Sequence, residues 1–346
     1  MNIVYVSNEG YARHLGVSLC SLYDSNADEE RLEVFILDTG ITPESRGKLK
    51  EIARSFGRVL TFIELKDLKE RFAAGIPVGQ GRGSAGDAAV TLDTGRFDVS
   101  TMGRLFAADL LPAGVRRILY LDCDTVILKP LRRLWETELG TGFIMAAVPE
   151  PTIYEEVKQY LGLGKKDPYF NAGVPLIDLK QWRKEDLTRK VLSYYAVIAE
   201  QSLFNDQDAL NGLLKGRIRT LSPRWNFFTN YRYFRYDTLC RMQPSYRRIP
   251  EEVFRKAKRY PAVIHYAGDE RPWRVGAMNY YGRAYEQYLA MTPWRGTPKE
   301  KGKELFLFLY HMMDLVTPVF PGIRAAISRA YVRKIIAERK ARQEKK

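Results

Sequence analysis

An α/β fold with a mostly parallel central sheet flanked by helices is what this sequence predicts, and three observations predict it. Strand-like and helix-like runs alternate through the first 150 residues. One apolar run, Ile118-Leu119-Tyr120-Leu121, ends abruptly in carboxylates, as a buried strand does where it reaches a ligand. The length, 346 residues, is enough for one large domain with an appendage.

The elements follow in order. Residues 3–7 read as a strand, 14–23 as a helix, 32–37 as a strand, 43–56 as a helix and 59–63 as a strand. A helix over 104–111 precedes the strand that runs into Asp122, and 143–148 is one more strand. This βαβ pattern places ligands at the carboxyl ends of the strands. Between them, six glycines fall within 75–95, including Gly79-Gln80-Gly81-Arg82-Gly83. That stretch lacks the Gly-Lys-Ser/Thr ending of a phosphate loop, so a flexible loop or lid over 75–97 is the expectation. The middle of the chain, 150–280, is rich in Tyr, Trp, Phe and Asn, and after Pro293 the composition shifts to an apolar run and then a basic end. The expected division is a catalytic domain over 1–285 and a helical, basic, membrane-associating region over 286–346.

Asp122-Cys123-Asp124 carries the most chemistry. In an extended chain side chains alternate, so the two carboxylates share one side and Cys123 points away. Two such oxygens suit a hard divalent cation that also binds phosphate, although the same pattern occurs in solvated turns. The formal charge of +14 favours an anionic partner: nucleic acid, anionic lipid or a nucleotide. Residues 322–346 hold nine Lys or Arg against two Glu, a net +7, so half of the surplus is local. Three scattered cysteines give neither a disulfide framework nor a zinc signature, and a reducing compartment is expected. No secretory signal and no apolar run of about 18 residues is readable, so a cytoplasmic or membrane-peripheral protein is expected.

Several motifs then occur in order: Tyr5-Val6-Ser7-Asn8-Glu9-Gly10-Tyr11, Leu110-Leu111-Pro112, Tyr120 to Asp124, Tyr169-Phe170-Asn171-Ala172-Gly173-Val174, Asn205-Asp206-Gln207-Asp208, and His265-Tyr266-Ala267-Gly268 with Pro272-Trp273. Together they resemble the family 8 glycosyltransferases, in particular the bacterial lipopolysaccharide galactosyl- and glucosyltransferases, over roughly residues 1–280. The resemblance implies a GT-A fold, a UDP-galactose or UDP-glucose donor, Mn²⁺ or alternatively Mg²⁺, and transfer with retention to a glycan or lipid-linked acceptor. By the same resemblance Asp122, Asp124 and His265 ligate the metal. Val6, Asn8, Tyr11, Arg104, Cys123, Asn171, Asp206, Gln207, Gly268 and Arg271 contact the UDP-sugar, with Gln207 and Asp206 at the reacting carbon. Glu150 is open between an acceptor or sugar contact and an ordinary loop charge. Asn8, where the family often has Asp, and Met102, where it often has Tyr, are departures.

The end of the chain repeats Ile323, Ile327, Tyr331 and Ile335 every four residues with arginines largely elsewhere, a basic amphipathic pattern suited to an anionic bilayer. A helix packed on the protein would show the same pattern. On the bilayer reading the protein is expected on the inner face of the plasma membrane. Two rival classes predict different features. A nucleic-acid-binding protein needs a basic groove and a binding module, and a sugar nucleotidyltransferase leaves His265 and Trp273 unexplained.

Overall fold

The computed structural model describes residues 1–65, 99–151, 154–269 and 271–320, and near the end of the chain 322–324, 326, 327, 329, 330, 332, 334, 335 and 337. The segment expected as a loop or lid, 75–97, lies outside them.

The strands are β1 (Asn2–Ser7), β2 (Glu33–Asp38), β3 (Leu60–Glu64), β4 (Arg117–Tyr120), β5 (Thr125–Ile127), β6 (Met145–Ala147), β7 (Leu176–Asp178), β8 (Ile218–Thr220), β9 (Phe227–Phe228) and β10 (Val263–His265). Seven of them form one sheet in the order β3-β2-β1-β4-β7-β6-β8, and β5-β10-β9 form a second. In the large sheet β1, β2, β3 and β4 are parallel, and only β7 runs against its neighbours. Ile3, Val4, Tyr5 and Val6 are all buried, as a central parallel strand with covered faces requires.

Helices α1 (Ala12–Ser25) and α2 (Pro43–Ser55) follow the first two strands. The start of α2 is set locally: Thr42 accepts a hydrogen bond from the Ser45 N–H (3.2 Å) and Pro43 occupies the first turn. Gly57, at φ +66°, ends it with the backbone conformation that glycine adopts most easily. The 104–111 helix is corrected: Val99–Phe106 is a 3₁₀ segment followed by a single α turn, Ala107–Leu110. Gly103 shows why packing is tight there, since a Cβ would lie 2.8 Å from Val6 Cγ1.

Because β7 enters against β4, the loop before it lies on the carboxyl edge of the sheet. Tyr120 N–H donates to Pro175 O (3.0 Å) and Asp122 N–H to Gly173 O (2.8 Å), which brings Asn171 to Gly173 beside Asp122. β6 runs parallel to β4 and delivers Glu150 to the same edge. Its continuation pairs with the other side of that loop through Asn171 N–H to Val148 O (2.9 Å) and Glu150 N–H to Tyr169 O (2.7 Å).

Past Pro293, Trp294 and Ile335 lean on the hydrophobic clusters of the sheet and Val332 is buried within one of them. The helix Glu304–Val316 turns Leu307, His311 and Asp314 inward.

Candidate active site

Asp122 and Asp124 lie in the turn between β4 and β5 and not on a continuous strand, so strand alternation is not what aligns them. They are brought together from the far side: β10 pairs antiparallel with β5, and His265 stands opposite Thr125. Ligand atoms of Asp122, Asp124 and His265 all lie within 4.8 Å of one another. His265 Nε2 is 3.6 Å from Asp122 Oδ2 and 3.2 Å from Asp124 Oδ1. Cys123 does turn away, its buried thiol donating to Val6 O at 3.2 Å.

The donor set fits a hard divalent cation. His265 Nδ1 bonds Asn226 Oδ1 (2.9 Å), which assigns the proton to Nδ1 and leaves the Nε2 lone pair toward the carboxylates. Gly173 keeps the space open: a Cβ there would lie 2.4 Å from His265 Cε1 and 2.7 Å from Asp122 Oδ2. Burial opposes charge on His265, but the neighbouring Asp124 and Asp122 carboxylates outweigh it and raise the imidazole above its ordinary range. Burial likewise acts against the Asp124 carboxylate, and His265 and Arg271 overcome it and hold that group low.

Two arginines flank the carboxylates. Arg104 NH2 is 3.0 Å from Asp122 Oδ1, its guanidinium lies 4.4 Å over the Tyr120 ring, and Tyr120 OH donates to the same Asp122 oxygen (3.0 Å). Arg271 NH2 is 3.6 Å from Asp124 Oδ2, and its guanidinium lies over Tyr11 and Trp273. Gly268, at φ +91°, makes the turn that lets Arg271 Nε–H bond back to the Gly268 carbonyl (2.9 Å). Asn8 accepts from the Tyr11 N–H (3.2 Å) and so caps the short 3₁₀ turn Glu9–Tyr11.

A second group of amides and carboxylates stands beside the first. The helix Asp206–Leu213 starts after Asn205, whose backbone at φ +45°, ψ −111° is strained for a residue with a side chain. Asn211 holds this helix to the Asn171 loop: its Nδ2 donates to Phe170 O and Gln207 O (both 2.8 Å), and its Oδ1 accepts from Phe170 N–H (2.7 Å). Gln207 Oε1 then accepts from Ala172 N–H (2.9 Å) and Asn171 Nδ2 (3.1 Å). Asn171 Nδ2 also donates to Glu150 Oε2 (2.9 Å), and burial lifts the Glu150 carboxyl to about 7.

Asp206 is buried, with Oδ2 2.8 Å from Arg104 Nε, but that N–H points at Thr101 O. Among the described residues no donor is aimed at this oxygen, and burial raises the Asp206 carboxyl to about 7 against the pull of Arg104. A buried acceptor without a donor is costly, and a ligand hydroxyl is the kind of group that relieves it.

Asp122, Asp124, His265, Arg104, Asn171, Asp206 and Gln207 are brought together in these two groups, with Arg271 beside Asp124 and Tyr11 under its guanidinium, whereas Asn8 caps a turn and Val6 holds the Cys123 thiol. Asn226, Tyr120 and the space-keeping role of Gly173 were not anticipated. Gly173 and Tyr120 sit in motifs whose other members drew attention, whereas Asn226 has no sequence signal beyond an Asn beside aromatic residues.

The comparisons with known proteins agree with this geometry. The model of the family described as glycosyl transferase family 8 matches residues 2–276. The chain is 27% identical over 297 residues to general stress protein A of Bacillus subtilis (strain 168), covering 85% of this chain and 94% of that protein. It is 30% identical over 208 residues to the lipopolysaccharide 1,2-glucosyltransferase of Escherichia coli (strain K12), covering 59% and 58%. Among solved structures it is similar to the galactosyltransferase LgtC in complex with donor and acceptor sugar analogues, with a TM-score of 0.67 and 26% identity over 86% of this chain and 99% of that one. An active-site variant of LgtC with glutamine replaced by glutamate matches equally well.

Proposed function

The chain belongs to glycosyl transferase family 8, and from that premise we propose that it is a retaining hexosyltransferase moving galactose or glucose from a UDP-sugar to a glycan or lipid-linked acceptor. As a glycosyltransferase it takes a nucleotide-sugar donor and an acceptor. The observation that carries the finer reading is the convergence of Asp122, Asp124 and His265 beside the Asp206–Gln207 pair.

Held by Asp122, Asp124 and His265, Mn²⁺ or Mg²⁺ supplies Lewis-acid neutralisation of the diphosphate, with the mixed carboxylate and imidazole set favouring Mn²⁺. Arg271 adds a fixed cation for the phosphates, and Arg104 links the metal end to Asp206. The Asp206 carboxylate, ion-paired with Arg104 but with one oxygen that accepts no hydrogen bond, is placed to receive a sugar hydroxyl. Gln207 is an amide and a poor nucleophile, so the acceptor hydroxyl attacks the anomeric carbon on the face from which UDP leaves. The new C–O bond forms as the bond to the diphosphate breaks, and the hydroxyl proton passes to a diphosphate oxygen. Asp206 or the Gln207 carbonyl stabilises the positive charge that develops on the ring.

The test is release of UDP from a panel of UDP-hexoses with Mn²⁺ and no acceptor, followed by proton NMR of the early transfer product. Turnover of UDP-galactose or UDP-glucose and an α-linked product are expected. A β-linked product overturns retention, and pyrophosphate formation from a sugar phosphate and UTP overturns the reaction class.

The acceptor reading includes a lipid surface at the inner face of the plasma membrane. The support is the helix Glu304–Val316, whose outer face carries exposed Leu305, Phe308, Leu309, Met312 and Leu315, continued by Val319, Phe320, Ile323 and Ile327. No helix among the described residues is long and apolar enough to cross a membrane. The apolar stripe expected over 323–335 is divided: Ile323 and Ile327 are exposed, Ile335 leans on the core, and Tyr331 lies outside the described residues. Arg324 faces inward to Asp314 and Tyr310. Arg329 and Lys334, both exposed, then supply attraction to anionic headgroups beside an apolar face.

A further inference from the structure

The buried carboxylate of Asp208 takes no part in the chemistry above, yet it is the most heavily bonded acceptor near the site. Its Oδ2 accepts from Tyr160 OH (2.7 Å), Ser202 Oγ, Leu203 N–H and Phe204 N–H (2.9 Å each), and its Oδ1 accepts from Tyr169 OH (2.6 Å). Every one of these partners donates, so this carboxylate acts purely as an acceptor.

That polarity propagates. Tyr169 has a single hydroxyl proton and gives it to Asp208, so toward Gln207 Nε2 (3.2 Å) its oxygen can only accept. The Gln207 amide must therefore turn its NH₂ to Tyr169 and its carbonyl to Asn171. Asn171 Nδ2 donates to that carbonyl, so its Oδ1 faces Asn226 Nδ2 (2.8 Å). Asn226 Oδ1 then faces His265 Nδ1 (2.9 Å), which must carry a proton. The result is a one-way chain of donors, His265, Asn226, Asn171, Gln207 and Tyr169, that ends on the acceptor Asp208. Reversing any amide would set two donors or two acceptors against each other in a buried place.

We infer that Asp208, acting through Tyr169, orients the Gln207 amide, and that the same hydrogen-bond chain presents the His265 Nε2 lone pair to the metal site. Tyr169, Asn226 and Asp208 are positioning residues. The inference rests on the proposed reaction only in giving Gln207 and His265 their roles, because the orientation itself exists without substrate.

The test therefore has two arms. Side-chain amide exchange with water, read by ¹⁵N NMR in the metal-free full chain and assigned by the signal lost in Gln207→Glu, reports the orientation directly. In the wild type one Gln207 amide proton should exchange at least about tenfold more slowly than an exposed glutamine amide, and Tyr169→Phe should abolish the difference. Tyr160→Phe removes an equal hydroxyl from the same carboxylate but not from the chain, and should leave that protection intact. The second arm is Mn²⁺ affinity by water-proton relaxation: Asn226→Leu should weaken it about 10–100-fold, as loss of a histidine's outer partner does. With UDP-sugar, Tyr169→Phe should lower kcat about tenfold at nearly constant donor KM, and Tyr160→Phe should change neither beyond about twofold. Wild-type amide protons that exchange freely, or equal effects of the two tyrosine variants, overturn the inference. Amide protection in a protein that turns over no UDP-sugar keeps the inference and overturns the proposed function.

Discussion

Two helices of thirteen residues each, α2 and Glu304–Val316, sit on this protein with opposite faces to the solvent. α2 buries Leu49, Ile52 and Ala53 and exposes Glu44, Lys50, Glu51 and Arg54, the ordinary pattern of a water-facing helix. Glu304–Val316 buries His311 and Asp314 beside Leu307 and exposes Leu305 (72%), Leu309 (59%) and Leu315 (67%). Two of its inward polar groups are tied to the fold: His311 Nε2 accepts from Met278 N–H (2.8 Å), and Asp314 Oδ1 pairs with Arg324. A helix whose inner face is specified by polar pairs and whose outer face is apolar is built for a surround other than water alone. The donor site is the reverse case, with charges gathered inward at one sheet edge, and the two regions should fail separately.

The largest separation is expected from Asp124→Asn. Removing one charged ligand should lower UDP-sugar turnover about a thousandfold, in keeping with the several kcal/mol a metal supplies to a leaving diphosphate. Sedimentation with anionic liposomes should be unchanged. Full Mn²⁺-dependent turnover in this variant breaks the metal assignment.

The complementary variant is Phe308→Ser with Leu309→Ser and Leu315→Ser. Liposome binding at low salt should fall about tenfold, the loss of three apolar side chains from a lipid-facing patch, while UDP release without acceptor stays within about twofold. Thermal stability should barely move, because these side chains face outward. If the triple variant binds liposomes like the wild type, the outer face of this helix has another purpose.

The smallest effect concerns Glu150, which sharpens the account of the donor side. The folded, metal-free protein keeps this proton up to about pH 7, whereas the unfolded chain releases it near the ordinary 4.5. Folding thus takes up a proton between these values, and this group's contribution to stability falls as pH rises from about 4.5 to 7. Asp206, raised to about 7 by the same cause, acts in the same direction. Glu150→Gln should remove the first part, gaining about 1–2 kcal/mol at pH 8 after allowance for solvent screening and flattening the curve, as read by urea unfolding across pH. An unchanged slope means that Glu150 is not held in the dry environment seen here.

Much of the candidate site was legible in the sequence because its residues sit in short motifs whose chemistry is local: Asp122 with Asp124, Asp206 with Gln207, and His265 after an apolar run. The two aspartates do come together, but for a different physical reason than strand alternation. Alternation along a strand does not align them, since they occupy a turn, and the antiparallel partner β10 completes the cluster. Asn226 was illegible because its role is relational: a single amide matters only once Asn171 and His265 stand on either side of it. The polarity of Glu304–Val316 was likewise hidden. Leu305 to Met313 reads as a compact apolar run, and composition alone does not reveal that His311 and Asp314 turn inward.

The pairing of β5 with β10 also has a consequence for synthesis. Thr125 and His265 meet at a sequence separation of 140, a long-range contact whose loop-closure entropy must be met before the ligand set exists. A nascent chain that has already made Asp122 and Asp124 holds only half a chelate until β10 emerges and docks. Once it docks, a bound cation ties the two sheets together and favours the folded state by mass action. The ion that assists transfer would thereby also serve as a late latch on folding, and the protein would acquire its grip on donor only at the moment its second sheet closes.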